Sequence, residues 1–224
     1  MELKEKARRS IINPKELIYM SAIIGICGEN YCLFVADRRR VGFNEDGTLY
    51  VLNDSTSKIF RANDRLLFGC TGIYEESERT NSLLRFADNM RELRVEDGTD
   101  LAAKYIDAKK KDNFPIGMRT YIFGGKNRDG QFCMITNKYN PSDRTLERTE
   151  FNPSLAGGNV ATVILLPHDI RKCESYYNDL LEEKLKACAS IDAVKSAARN
   201  VIREIAEDSD TVSYATENLM IFGS

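Results

Sequence analysis

The stretch that most constrains the fold is 21–36, where two almost continuously apolar runs flank a three-residue polar turn. Ser21-Ala-Ile-Ile-Gly-Ile-Cys27 and Tyr31-Cys-Leu-Phe-Val-Ala36 are rich in strand-forming residues, and Gly28-Glu-Asn30 supplies a turn between them. A strand with one wet face alternates polar and apolar residues. These two runs do not alternate, so the hairpin they predict needs cover on both faces, as in the middle of a sandwich. Asp37-Arg-Arg-Arg40 ends the second run abruptly.

Further along, a polar hairpin is predicted around Asp46-Gly47, a strong turn pair. Strands are predicted at 58–60 and 66–71, joined by a turn at Asn63-Asp64. Gly72 then opens a helix over about 75–93, with Leu83, Leu84, Ala87 and Met90 at helical spacing. A second helix is predicted after Asp97-Gly98, with Thr99 or Asp100 as N-cap and Leu101, Ala102, Tyr105 and Ile106 as its buried stripe. Strands return at 119–124, 131–137 and about 145–151, with Asp129-Gly130 turning between the first two. The glycine pair Gly157-Gly158 precedes a stretch read as two amphipathic helices over 160–206, broken near Ala189-Ser190, and 218–222 closes the chain as a strand. Runs of strands alternating with pairs of helices predict an α+β domain of two stacked, mainly antiparallel sheets with helices on both outer faces.

The 224 residues suit one domain, and no Pro/Gly/Ser-rich linker divides them. A net charge of −2 with both signs interspersed predicts no nucleic-acid partner and no anionic membrane surface. The six cysteines have no Cys-x-x-Cys spacing, and Cys27, Cys32 and Cys70 fall in apolar runs. That pattern predicts reduced core thiols in a cytoplasmic protein. His168 is the lone histidine, placed after Pro167, and is expected at the surface. Residues 1–20 are charged and lack an apolar core, so no signal peptide is expected, and no run is long enough to span a bilayer.

Four segments, in order and on predicted strands, carry a resemblance. Ser-Ala-Ile-Ile-Gly-Ile (21–26), Ala-Asp-Arg-Arg (36–39), Ser-Lys-Ile-Phe-Arg-Ala-Asn-Asp-Arg (57–65) and Phe-Gly-Cys-Thr-Gly (68–72) resemble successive motifs of proteasome subunits of the β type. Leu-Ala-Gly-Gly-Asn (155–159) and Glu-Asp-Ser-Asp-Thr (207–211) extend the likeness. The resemblance implies the four-layer α/β/β/α sandwich of N-terminal-nucleophile hydrolases over 21–224, with 1–20 as an N-terminal extension or propeptide. In catalytic members the first mature residue is the nucleophile, and its free α-amine moves the proton.

By that likeness Ser21 matches the nucleophile, and Asp37, sixteen residues on, and Lys58 match the carboxylate and ammonium that tune it. Lys58 fits if the 41–54 hairpin is about five residues longer than usual. Gly72 matches the oxyanion-hole donor, and Asp208 and Thr211 match a later pair that holds the α-amine. Arg40, Cys70 and Tyr74 fall where the family binds substrate. The chain departs from the pattern in having Ser for the usual Thr, Met20 for the Gly before it, and Ala156 or Gly157 for a supporting serine. Met20 also reads as an alternative start, whose removal would expose Ser21 directly.

The implied activity is a serine- or threonine-type endopeptidase acting on peptides or small amides, without cofactor or metal. The implied assembly is a homo-oligomer of hexameric or heptameric rings, served by an ATP-dependent unfoldase. The chain itself has no Gly-x-x-x-x-Gly-Lys phosphate loop. The alternative is a non-catalytic ring or scaffold subunit like the α-type subunits, which keep similar Asp-Arg and Lys-Ile-Phe motifs.

Overall fold

The computed structural model describes residues 21–44, 46, 48–72, 92–111, 118–155 and 159–223. The expected N-terminal extension, most of the helix expected over 75–93, and Met20, Tyr74, Ala156 and Gly157 lie outside the described residues.

The apolar hairpin forms as read. β1 (Ile23–Gly28) and β2 (Tyr31–Asp37) pair antiparallel, with Ile23 opposite Ala36 and Cys27 opposite Cys32, and every residue of β1 is buried. β10 (Val160–Leu165) pairs with the outer edge of β1, and β11 (Thr216–Phe222) with that of β2, giving the order β10-β1-β2-β11. A second antiparallel sheet runs in chain order through β5 (Ile59–Asn63), β6 (Leu66–Thr71), β7 (Arg119–Lys126), β8 (Phe132–Asn140) and β9 (Thr145–Phe151). Between β2 and β5, β3 (Arg40–Phe43) and β4 (Leu49–Asn53) form a separate two-stranded hairpin. Asp46 tightens its bend, accepting hydrogen bonds from Thr48 N–H at 2.9 Å and Thr48 Oγ1 at 2.6 Å.

Side-chain parity on the central hairpin sorts the core. Ile24, Ile26, Leu33 and Val35 point to one side and pack with Tyr177, Leu181, Val201 and Ile205, from α2 (Glu174–Lys186) and α3 (Ile191–Asp208). Ile23, Cys27, Cys32 and Phe34 point to the other side and meet Ile59, Leu67, Ile122 and Met134 of the second sheet. The far face of that sheet carries Phe68, Tyr121, Phe123 and Ile135 against α1 (Val95–Lys111). The fold is therefore α+β, with helices packed against antiparallel sheets. Burying a side chain of this size contributes on the order of 2 kcal/mol, which makes the doubly covered hairpin the main source of cohesion.

Two expectations are corrected. Residues 160–165 form a strand, not the start of a helix: Val-Ala-Thr-Val-Ile-Leu is a short apolar run with β-branched residues, and Pro167 ends it. The helices over the rest of that stretch do form, and α3 begins at the expected break, where the Ser190 hydroxyl caps Ala193 N–H at 3.2 Å. The helix expected after Asp97-Gly98 instead begins at Val95. Gly98 lies inside it as a close-approach residue, since a Cβ there would come within 2.7 Å of Phe123 Cδ1. Asp97 serves the helix start, accepting from Arg94 N–H at 2.8 Å.

Cys27, Cys32, Cys70 and Cys133 are buried free thiols, while Cys173 is exposed. Among the described residues, no helix is long and apolar enough to cross a membrane.

Candidate active site

Where β1 and β2 leave the hairpin, the backbone of Ala22 and the side chain of Asp37 close on one another. Asp37 N–H donates to Ala22 O at 3.1 Å, and Ala22 N–H donates to Asp37 Oδ1 at 2.9 Å. Asp37 is fully buried, and both of its oxygens receive the Lys58 ammonium at 2.8 Å. Its second oxygen also accepts from Arg39 N–H at 2.9 Å and Ser213 N–H at 3.4 Å. Donors thus meet both oxygens of Asp37, which offsets the cost of burying a carboxylate. Burial pushes the Lys58 ammonium below the usual lysine range, and the facing Asp37 charge opposes that shift. Ser21, 4% exposed, adjoins this cluster through Ala22.

Lys58 is held at its backbone as well. Glu217 on β11 reaches the head of β5, accepting from Lys58 N–H at 2.6 Å and Ser57 Oγ at 2.9 Å. This clamp ties the two sheets together at the residue that carries the ammonium. Arg39 braces the opposite side, with its guanidinium bidentate on Asp54 at 2.9 and 3.2 Å and donating to Asp210 O at 3.1 Å.

Gly72 follows β6 directly and has φ +115°, a backbone region that L side chains rarely adopt. A Cβ there would sit 3.4 Å from Arg119 Cβ and 3.5 Å from Met118 O. Arg40 lies half-buried at the head of β3, three residues past Asp37. Cys70 is 3% exposed and belongs to the α1-facing cluster, so its side chain points away from the space between the sheets.

Asp208 and Thr211 have other partners. Asp208 Oδ2 accepts from Arg171 N–H at 3.0 Å, Lys172 N–H at 2.8 Å and Tyr177 OH at 2.9 Å, just ahead of and within α2. Burial alone would raise its carboxyl, yet these hydrogen bonds, Lys172 N–H foremost, hold it below the usual carboxylate value. Thr211 Oγ1 donates to Asp169 Oδ1 at 2.8 Å, an oxygen it shares with Ser209 Oγ at 2.7 Å. Both residues thus anchor the loop after α3, and that loop delivers Ser213 to Asp37.

Ser213, Glu217 and Asp169 were not singled out from sequence. The signal for Ser213 was present: the Asp-x-x-Thr spacing of Asp208 and Thr211 recurs two residues on as Asp210-x-x-Ser213. No local pattern marks Glu217 or Asp169, whose roles arise only when distant segments meet.

A cleft of about 440 Å³ opens between the ends of the two sheets, lined on one side by Thr71, Thr120, Thr136 and Lys138 and on the other by Leu166 and Pro167. The β1–β10 register ends with Ile23 opposite Leu165, and Ser21 precedes Ile23 by two residues as the lining residue Pro167 follows Leu165 by two. No protein-family model matches the chain, and no curated protein matches it in sequence.

Proposed function

We propose that this chain is a proteasome β-like N-terminal-nucleophile amidohydrolase, built as a four-layer α/β/β/α sandwich, which cleaves peptide bonds with Ser21 once that residue is N-terminal. The observation that carries the reading is the hydrogen bond from Ala22 N–H to Asp37, whose other contacts include the Lys58 ammonium. It couples the residue next to the proposed nucleophile to a buried carboxylate–ammonium pair. Support for the layered architecture comes from the three core clusters, which fill successive spaces from α2 and α3, through both sheets, to α1.

In this mechanism the Ser21 hydroxyl oxygen bonds to the substrate carbonyl carbon while its proton passes to the free α-amine. Lys58 lowers the energy of the developing alkoxide, and Asp37 keeps Lys58 charged. The Gly72 N–H receives the oxyanion. Collapse breaks the C–N bond, and the α-ammonium returns its proton to the leaving amine. Water then hydrolyses the acyl-serine by the same route, releasing a carboxylic acid and restoring Ser21. Ser213, Arg39 and Glu217 position Asp37 and Lys58. The reading extends to a cytoplasmic ring of six or seven copies, fed by an unfoldase.

A non-catalytic ring subunit is the second reading, favoured by the completeness with which Asp37 is satisfied, since such a pair also braces a fold. Assays with fluorogenic peptides separate the two. Protein beginning at Ser21 should cleave them, and Ser21→Ala should lose at least about a thousandfold in rate. Full activity in the variant removes Ser21 from the mechanism, and inactivity of the Ser21-initiated protein favours the ring subunit.

A further inference from the structure

The face of the second sheet that meets β1 changes character toward Ser21. Strand register aligns Leu67, Gly124, Met134 and Phe151 in one cross-strand row, and Gly69, Ile122, Thr136 and Thr149 in the next. The row nearest the open end is Thr71, Thr120, Lys138 and Glu147. A sandwich interior is normally apolar throughout, and this row is wholly polar. Ile23 Cδ1 lies 3.3 Å from where a Cβ of Gly69 would be, so β1 crosses above the middle row. Ser21 precedes Ile23 by two residues, so the chain entering β1 comes from the side of the polar row. The cleft follows that row outward under Leu165–His168.

We infer that this cleft receives one arm of an extended peptide, and that Lys138 selects an acidic side chain there. The inference rests on the proposed role of Ser21. Lys138 lies two strand spacings from Thr71, about 10 Å, a distance an extended peptide covers in about three residues. Lys138 is exposed, and no hydrogen bond or ion pair holds it among the described residues; its cross-strand neighbour Glu147 makes no ion pair with it within 4.0 Å. It is the cation of the row nearest the nucleophile. Glu147, one strand further out, and Glu174 and His168 across the cleft complete its charged and titratable lining. An acidic residue is thus matched at about the third position from the cut, and Glu147 and Glu174 disfavour a second acid beside it.

The test uses full-length protein carrying Ser21→Ala and the fluorescein-labelled pentapeptide amide Ala-Ala-Glu-Ala-Ala, with its Gln and Lys counterparts, read by fluorescence anisotropy. The Glu peptide should bind about fivefold tighter than the Gln peptide, the scale of one partly exposed charge contact. Lys138→Glu should reverse the order of the Glu and Lys peptides, while Lys104→Glu, on exposed α1 surface beyond the sheet, should leave it intact. Equal binding of all three peptides, no saturable binding, or an order unmoved by Lys138→Glu overturns the inference. Binding does not require catalysis, so a failed peptidase assay with an intact Glu preference sinks the enzymatic reading and the placement relative to a cut, and leaves Lys138 as the selector of an acidic peptide. Cleavage without preference sinks only the role of Lys138.

Discussion

Asp37 accepts five hydrogen bonds, two of them from one ammonium. Removing that ammonium leaves a buried anion without its countercharge. Lys58→Met should therefore lower stability by about 3–5 kcal/mol as well as abolishing hydrolysis, measured by urea unfolding and peptidase assay. A loss below about 1 kcal/mol would mean that water reaches Asp37 and that the site is not desolvated. Asp208 gives a second check. Its carboxyl is held below its ordinary value, so the unfolded chain binds the proton more readily, and the stabilisation is present above about pH 4 and fades as pH falls through the folded value. Asp208→Asn, which cannot carry the charge, should be less stable than the parent by about 1–2 kcal/mol at pH 7. The gap should narrow at pH 3, and a gap independent of pH would contradict the assignment.

At the scale of elements, α1 offers a test whose sign runs against helix propensity. Ala in place of Gly gains about 1 kcal/mol in an exposed helix interior. Gly98, however, is buried with Phe123 in the way of any Cβ, and overpacking costs about 1–3 kcal/mol. Gly98→Ala should thus destabilise the protein on urea unfolding, and a stabilised variant would show that α1 sits further from the sheet. The same helix shows where sequence reading stops. Asp97-Gly98 has turn composition, and only the approach of Phe123 explains a glycine inside the helix. β10 was ambiguous for a related reason: a six-residue apolar run fits strand or buried helix, and its pairing with β1 decides. The central hairpin was legible because its lack of alternation states its surroundings directly. Asp37 and Lys58 were legible through their motifs. Glu217 was not, because its meaning depends on β11 lying beside the head of β5. Glu217→Ala should free the Lys58 and Ser57 contacts and lower kcat about tenfold while the protein stays folded by circular dichroism. An unchanged kcat would show that Lys58 is held without the clamp.

For the whole molecule, the antiparallel sheets and the helices packed on them act as a frame that brings Ala22, Asp37, Lys58 and Ser213 together. Each comes from a different segment, and each is fixed by a strand or by a loop pinned to a strand. What the frame cannot supply is a base for Ser21, because an amide nitrogen inside a chain does not take up a proton at neutral pH. The proposed activity therefore depends on removal of residues 1–20. Protein prepared with Ser21 as its first residue, and protein retaining Met1, should be incubated with a β-lactone and weighed by intact mass spectrometry. The Ser21-initiated form should gain one acyl adduct, mapped to Ser21, and the Met1 form should gain none. Absence of an adduct on the Ser21-initiated form, or an equal adduct on both, would contradict the N-terminal-nucleophile reading.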